Sequence, residues 1–381
     1  MTKWRTGSFL CAPLCVLVFV TGCSRIGNQP SGDTRTAAPT AAATTTANPT
    51  TARPTTASPA TASPTGRPEA TELLTGLTSP WGLIALKDGT FLISERDTKQ
   101  ILRADGSETK RLRTIEDALP SAEGGLLGLA ITADEDRVFA YYTSAEDNRI
   151  VTMSWNGRSL GEPEVILDGI PKAGVHDGGR ILVGPDGHLY VATGDSAKPD
   201  EAQDKSSLGG KILRVTVDGE PAPGNPFGDE VWSFGHRNVQ GLAFDEEGRL
   251  WACEFGRQEW DELNLIEKGK NYGWPLVEGS GEGRGLTNPK VVWRTSEASP
   301  SGLAYWQGDL WMAGLRGERL WQIPVEGTDT GDPVAHFEGE YGRLRTVVLS
   351  SDGKSLLLTG SNTDGRGDVR EGDDRLWRIS R

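Results

Sequence analysis

Arg180-Ile181-Leu182-Val183, then Asp186-Gly187-His188-Leu189-Tyr190-Val191-Ala192, then Lys211-Ile212-Leu213-Arg214-Val215 is one copy of the pattern that decides the fold. A short apolar strand runs into an Asp-Gly turn, a second strand follows, and a third arrives after a variable loop. Asp-Gly between apolar runs signals a hairpin, because the turn needs positive φ. Working outward, the same order starts again at Pro80-Trp81-Gly82-Leu83, at Gly125-Leu126-Leu127-Gly128, at Gly241-Leu242-Ala243-Phe244, at Gly302-Leu303-Ala304-Tyr305 and at Arg345-Thr346-Val347-Val348-Leu349. Six units over about 310 residues give roughly 52 each, within the range of four-stranded propeller blades. The expected fold is all-β: a six-bladed β-propeller with four-stranded antiparallel blades over residues 69–381, preceded by a disordered tether. Radial repetition leaves few open sheet edges. The intervals from the third unit to the fourth and from the fourth to the fifth are longer, so extra loops are expected there.

Composition agrees. The 381 residues include 49 Gly, 22 Pro and 12 Trp, a balance that argues against a helical bundle. The net charge of −13 and the lack of a long basic cluster leave no footprint for nucleic acid.

The N-terminus reads as an address. Lys3 and Arg5 precede an apolar run from Phe9 to Val20, about a dozen residues where a membrane span needs roughly 20. It fits an export signal. Val20-Thr21-Gly22-Cys23 resembles a bacterial lipobox, so residues 1–22 are expected to be removed and Cys23 lipidated. The alternative is an ordinary signal with a chance Cys. Residues 23–68 are mostly Thr, Ala, Pro and Ser, which cannot bury enough apolar surface to order themselves. The chain is therefore expected to be exported and tethered by lipid to the outer face of the cell membrane. Loss of Lys3 and Arg5 would take the charge from −13 to −15. Cys253 then stands alone, in apolar Leu250-Trp251-Ala252-Cys253, and reads as a buried structural thiol.

Four segments carry chemistry. His176, in Gly174-Val175-His176-Asp177-Gly178-Gly179, lies where glycines let backbone approach a ligand, and a loop His can serve as a base near neutral pH. Gly235-His236-Arg237-Asn238 abuts a strand, and either His236 or Arg237 is expected to face a site. His188 and His336 read as surface residues. Glu254, Glu259, Asp261 and Glu262 either ligate Ca²⁺ or form a solvated acidic loop. Arg343 and Arg345, two apart on a strand, share a face and repel unless they meet an anion. Arg316 could serve the same anion. Gly365-Arg366-Gly367-Asp368 contains an Arg-Gly-Asp to which no adhesion role is given.

Taken in order, Gly124-Gly125-Leu126-Leu127-Gly128, Thr193-Gly194-Asp195, Gly210-Lys211-Ile212-Leu213-Arg214, Gly235-His236-Arg237-Asn238-Val239-Gln240-Gly241-Leu242-Ala243-Phe244, Asp261-Glu262-Leu263-Asn264 and Asn271-Tyr272-Gly273-Trp274-Pro275 resemble the soluble quinoprotein glucose/sorbosone dehydrogenases, also called aldose sugar dehydrogenases. The resemblance covers residues 71–381. It implies a six-bladed propeller that uses pyrroloquinoline quinone (PQQ) and Ca²⁺ to oxidise the anomeric hydroxyl of an aldose to a lactone. By the resemblance, His176 is the general base, Arg237 stabilises charge on the quinone, and Asn238, Arg316, Arg343 and Arg345 hold PQQ. Glu123 lies near the sugar. The carbonyls of Gly256 and Arg257 ligate a catalytic Ca²⁺, and Glu262 with the carbonyl of Tyr272 a structural one. Val175 departs from the acidic or polar residue that precedes the His in the glucose enzymes, and Phe255-Gly256-Arg257 replaces a Gln-Gly-Pro type run. Two other readings are a metal-dependent lactonase-like propeller and a sugar-binding propeller that lost PQQ. The physiological sugar, the electron acceptor and whether the domain forms a homodimer are left open by the sequence.

Overall fold

The computed structural model describes residues 66–281, 283 and 285–381. The signal segment, Cys23 and the tether as far as residue 65 lie outside the described residues. The rest is six antiparallel sheets, the six-bladed propeller that the repeat predicts. In the first blade the strands Pro80–Ala85, Phe91–Glu95, Gln100–Ala104 and Thr109–Thr114 pair in chain order. The second, third and fourth blades repeat this from Leu126–Ile131, Ile181–Val183 and Val239–Phe244. In the fifth, Asp329–Thr330 and Val334–His336 both pair with Arg319–Glu326.

The sixth blade closes the ring. Leu344–Leu349, Leu356–Gly360 and Leu376–Ser380 come from the C-terminus, but the outermost strand is Glu69–Leu74 from the start of the described chain. Hydrogen bonds from Gly76 N–H to the Gly372 carbonyl and from Leu77 N–H to the Asp374 carbonyl continue the union. The repeat had shown only three strands per unit. Outer strands such as Thr109–Thr114 and Glu69–Leu74 bury little of their surface, so they carry little apolar alternation to read.

The core lies between blades. Trp251, Trp311, Phe139 and Tyr141 are fully buried, each packed against strands of its own or the next blade. Cys253 is buried there too, and burial raises its thiol pKa. The innermost strands crowd one another around the axis. A Cβ on Gly82 would lie 2.7 Å from the Leu129 nitrogen, and one on Gly128 2.2 Å from the Gly179 carbonyl oxygen. Gly241 and Gly302 meet Ser301 and Val347 in the same way, at 2.3 and 2.6 Å. Five of the six innermost strands shift register beside this point. The extra length falls inside blades, between Leu189–Ala192 and Lys211–Val215 and between Trp260–Ile266 and Val291–Arg294.

Replacing Gly128 by Ala forces two inner strands apart. It should lower stability by about 1–3 kcal/mol, read as a fall in the urea midpoint at unchanged slope.

Candidate active site

His176 sits in a loop between Glu164–Ile170 and Ile181–Val183, with φ of 63°. That left-handed conformation is unusual for a residue with a Cβ and marks strain held by its surroundings. Its N–H donates to Glu123 Oε2 at 2.9 Å, and its carbonyl accepts from the Ser196 N–H at 3.2 Å. Gly194 explains the approach of the facing loop. A Cβ there would lie 1.7 Å from the His176 carbonyl oxygen. With only hydrogen in that place, the next residue, Asp195, brings Oδ1 to 2.7 Å from His176 Nδ1.

The other ring nitrogen, Nε2, lies 2.8 Å from Arg237 Nη2. A guanidinium only donates, so Nε2 must be the acceptor and Nδ1 carries the proton, which it gives to Asp195. The imidazole is thereby fixed as the neutral Nδ1–H tautomer with its lone pair on Nε2. Asp195 is fully buried and also accepts from Trp274 Nε1 at 2.8 Å and from the Ala197 N–H at 2.9 Å. Arg237 lies over the Trp274 ring, 5.4 Å from its centroid. Burial pulls its pKa down, and its buried Nε has no partner among the described residues.

Of the two candidates in the Gly235–Asn238 run, Arg237 faces the site and His236 does not. His236 is fully buried, held by Glu254 at 2.8 Å and Ser233 at 2.9 Å, and stacked on Tyr272 at 4.7 Å. Asn238 turns its Oδ1 to the Gly178 N–H at 3.0 Å, tying the His176 loop to the fourth blade. His188 and His336 are half-buried rather than surface residues, and His336 stacks on Trp311.

Next to Glu123 opens a cavity of about 320 Å³. Arg96, Arg316, Arg343, Arg345 and Arg366 line it, with only Glu123 and Asp364 as carboxylates. Trp81, Gln240 and Phe255 supply aromatic and amide surface. The Arg343 and Arg345 side chains converge, as their spacing predicts, on Asp364 Oδ2 at 3.0 and 3.3 Å. Burial is the main cause that lowers Arg345, to about 10. Arg316 is exposed and makes no ion pair among the described residues. Behind Trp81, the guanidinium of Arg180 lies 4.3 Å from the ring centroid, buried and lowered to about 9 by desolvation. Guanidiniums gathered with too few carboxylates to neutralise them fit a small polyanion.

The acidic run does not gather into one cluster. Asp261 accepts from the Gly256 and Ser299 N–H groups, burial raises its carboxyl to about 6, and Glu259 is exposed. Among the described residues no group of three His, Cys, Asp or Glu side chains is placed to hold a metal. Glu262 instead faces Glu254 across the Asn264 amide, at 3.1 and 3.2 Å. Burial first, and then Glu254, push its carboxyl up to about 8. The Asn264 Oδ1 beside them is buried without a partner. Two buried carboxylates and an orphaned amide oxygen fit a hard cation. In the loop before, Glu278 Oε1 accepts four backbone N–H groups, from Arg257, Gln258, Glu259 and Trp260, at 2.8 to 3.1 Å. The carbonyls of Gly256 and Arg257 accept no hydrogen bond among the described residues.

Sequence reasoning had assigned no role to Asp195, Trp274, Asp364, Trp81, Gln240 or Glu278. Asp195, Gln240 and Trp274 stood in the quoted motifs and Trp81 in a repeat unit, but a motif does not show which side chain its members meet. Asp364 and Glu278 sit in loops of their own blades, about 20 residues from the groups they hold.

The class defined by this fold and site is a propeller with a fixed neutral imidazole beside a cationic cavity. The chain belongs to the glucose/sorbosone dehydrogenase family, whose model matches residues 77–369. It is similar to the PQQ-bound aldose sugar dehydrogenase of Streptomyces coelicolor, a solved structure, with 52% identity, a TM-score of 0.80, and 84% of this chain and 99% of that one covered. It is 29% identical to an aldose sugar dehydrogenase of Escherichia coli over 74% of this chain and 87% of that protein. With the quinoprotein glucose dehydrogenase B of Acinetobacter calcoaceticus it shares 31% identity over 54% of this chain and 52% of that protein.

In ¹⁵N-histidine spectra at neutral pH, His176 should show the Nδ1–H tautomer. Asp195→Asn, which takes away the charged acceptor, should shift it to a mixture of tautomers.

Proposed function

We propose that the protein is a PQQ-dependent aldose dehydrogenase that oxidises the anomeric C1 hydroxyl of a sugar to a lactone. The carrying observation is the neutral His176, held by Asp195 and Arg237, next to a cavity with an excess of guanidiniums. PQQ, when bound, supplies a two-electron acceptor for the C1 hydride. Its three carboxylates would meet Arg316, which has no ion pair among the described residues, and Arg343 and Arg345, which share the single carboxylate of Asp364, with Glu123 on the cavity wall and Asn238 holding the His176 loop. His176 Nε2 is the base. In the arrangement described, Arg237 Nη2 occupies its lone pair, so the sugar hydroxyl takes over that acceptor as it enters. The imidazole then receives the hydroxyl proton, and Asp195 stabilises the imidazolium. Arg237, released from Nε2, is free to donate toward negative charge developing in the site.

Ca²⁺ belongs to the same proposal. The free carbonyls of Gly256 and Arg257 would hold one ion, in a loop shaped by Glu278. Glu262, with the carbonyl of Tyr272, would hold another, which would also satisfy the orphaned Asn264 oxygen. Val175 removes a polar sugar contact and favours a substrate other than glucose, and the Phe255-Gly256-Arg257 run would reshape the Ca²⁺ loop while keeping its backbone carbonyls. A lactonase reading would need a metal held by side-chain carboxylates in the cavity, whose lining instead carries five arginines and two carboxylates. We further propose export and anchoring to the outer membrane face through lipid on Cys23, with electrons passing to an acceptor outside the cytoplasm.

Dye reduction by a panel of aldoses after addition of PQQ and Ca²⁺ tests the activity, and lack of PQQ-dependent turnover with every sugar would overturn it. His176→Ala should lower turnover by about 10²–10⁴-fold while PQQ still binds. Glu262→Gln should reduce, and not abolish, the rise in Tm that Ca²⁺ gives to the wild type, because the Gly256–Arg257 site is left intact. Palmitate labelling of cells should mark the wild type and not Cys23→Ala.

A further inference from the structure

We propose that Arg366 is a positioning residue for the His176 base and that it acts through Glu123. This rests on the dehydrogenase reading. The Gly365-Arg366-Gly367-Asp368 run, without a role in the sequence reading, lies between Leu356–Gly360 and Leu376–Ser380 in the sixth blade. It is pressed onto the anion-binding arginines. A Cβ on Gly367 would lie 2.6 Å from Asn362 Cα and 2.9 Å from Arg343 Cδ. The Arg366 N–H donates to Asp364 Oδ1 at 2.9 Å, and Oδ2 of the same carboxylate holds Arg343, Arg345 and Ser361. The backbone of Arg366 is therefore fixed by the residue that organises the arginine pair.

Its side chain reaches across the cavity mouth. Arg366 Nη1 lies 2.9 Å from Glu123 Oε1, in the loop between the first and second blades. The other oxygen of Glu123 accepts the His176 N–H at 2.9 Å. One carboxylate thus spans the sixth blade and the loop that carries the base. The His176 backbone is held at φ of 63°, where its N–H needs a fixed acceptor. Without Arg366 the carboxylate is free to turn away, and the loop loses the bond that fixes the imidazole against Asp195 and Arg237.

The pair also sets the local charge. Asp195 and Arg237 touch the His176 ring, and Asp177 neighbours it in its own loop. Glu254 and Glu278 act on Arg237 from the fourth blade. Arg366 neutralises Glu123 within this set. Removing Arg366 leaves a negative charge that favours imidazolium. Removing Glu123 leaves a positive charge that disfavours it. The two deletions therefore have opposite signs, which loss of structure alone would not produce. The Arg366 side chain is more than half exposed, so solvent limits the shift on removing it to about half a pH unit, and the shift on removing the largely buried Glu123 is the larger.

The test uses ¹⁵N-histidine-labelled protein without cofactor, with His176→Ala to assign the resonance. Arg366→Gln should raise the His176 titration midpoint, Glu123→Gln should lower it, and the double variant should lie between the two single variants. Arg366→Lys, which keeps the charge, should stay near the wild type. An unchanged midpoint in Arg366→Gln, or shifts of the same sign in both single variants, would overturn the proposal. The acid limb of kcat/KM with PQQ should move in the same senses. The titration needs no turnover, so absence of PQQ-dependent activity would sink the dehydrogenase reading and still leave the role of Arg366 decided.

Discussion

Everything in this molecule depends on how closely six innermost strands pack around one axis. Gly82, Gly128, Gly241 and Gly302 leave out the side chain where a neighbouring strand backbone passes. Close passage forces a register shift in five of these strands. The shift falls beside Trp81, Gln240 and Arg345, which line the cavity. Ring closure and the placing of the binding groups are one geometric event. The blades supply apolar layers that hold the ring, and the end of the ring supplies the chemistry.

The cost of the site is electrostatic. Arg180, Arg237 and Arg345 are all buried deeply enough that desolvation lowers their pKa values. Uncompensated buried charge destabilises a fold unless a partner arrives. Asp364 compensates part of it by holding Arg343 and Arg345 at hydrogen-bonding distance. An anionic cofactor would complete the neutralisation, which makes binding and stability two readings of one interaction. The same logic applies at Glu254 and Glu262, with the signs reversed and a divalent cation as the partner.

The fold was legible because repetition multiplies weak signals. Each hairpin alone is ambiguous, and six in one order are not. Asp88-Gly89 and Asp186-Gly187 form the turns their sequence predicts, with the glycines at φ of 85° and 75°. The outer strands were not legible. Thr109–Thr114 has no buried residue, and Glu69–Leu74 pairs with Leu376–Ser380 about 300 residues away. The site was legible where one short segment holds both the group and its reason, as with Arg343 and Arg345. It was not legible where the partner comes from another blade. Nothing near Asp195 announces His176, and nothing near Arg366 announces Glu123. The choice between His236 and Arg237, and the role of the acidic run, stayed open in the sequence for a related reason. Polar residues at strand ends look alike in sequence, whether they face a ligand or, as His236 does with Glu254, one another.

The central claim is that the neutral imidazole of His176 takes the proton as an aldose reduces a cofactor bound by the arginine-lined cavity. The most direct measurement follows quinone absorbance of protein loaded with PQQ and Ca²⁺ in a single turnover with excess aldose. The wild type should bind PQQ and lose the oxidised-quinone absorbance when sugar is added. His176→Ala should bind PQQ equally well and keep that absorbance for at least about a hundredfold longer. Equal rates of bleaching in the two proteins, or a wild type that does not bind PQQ, would contradict the account.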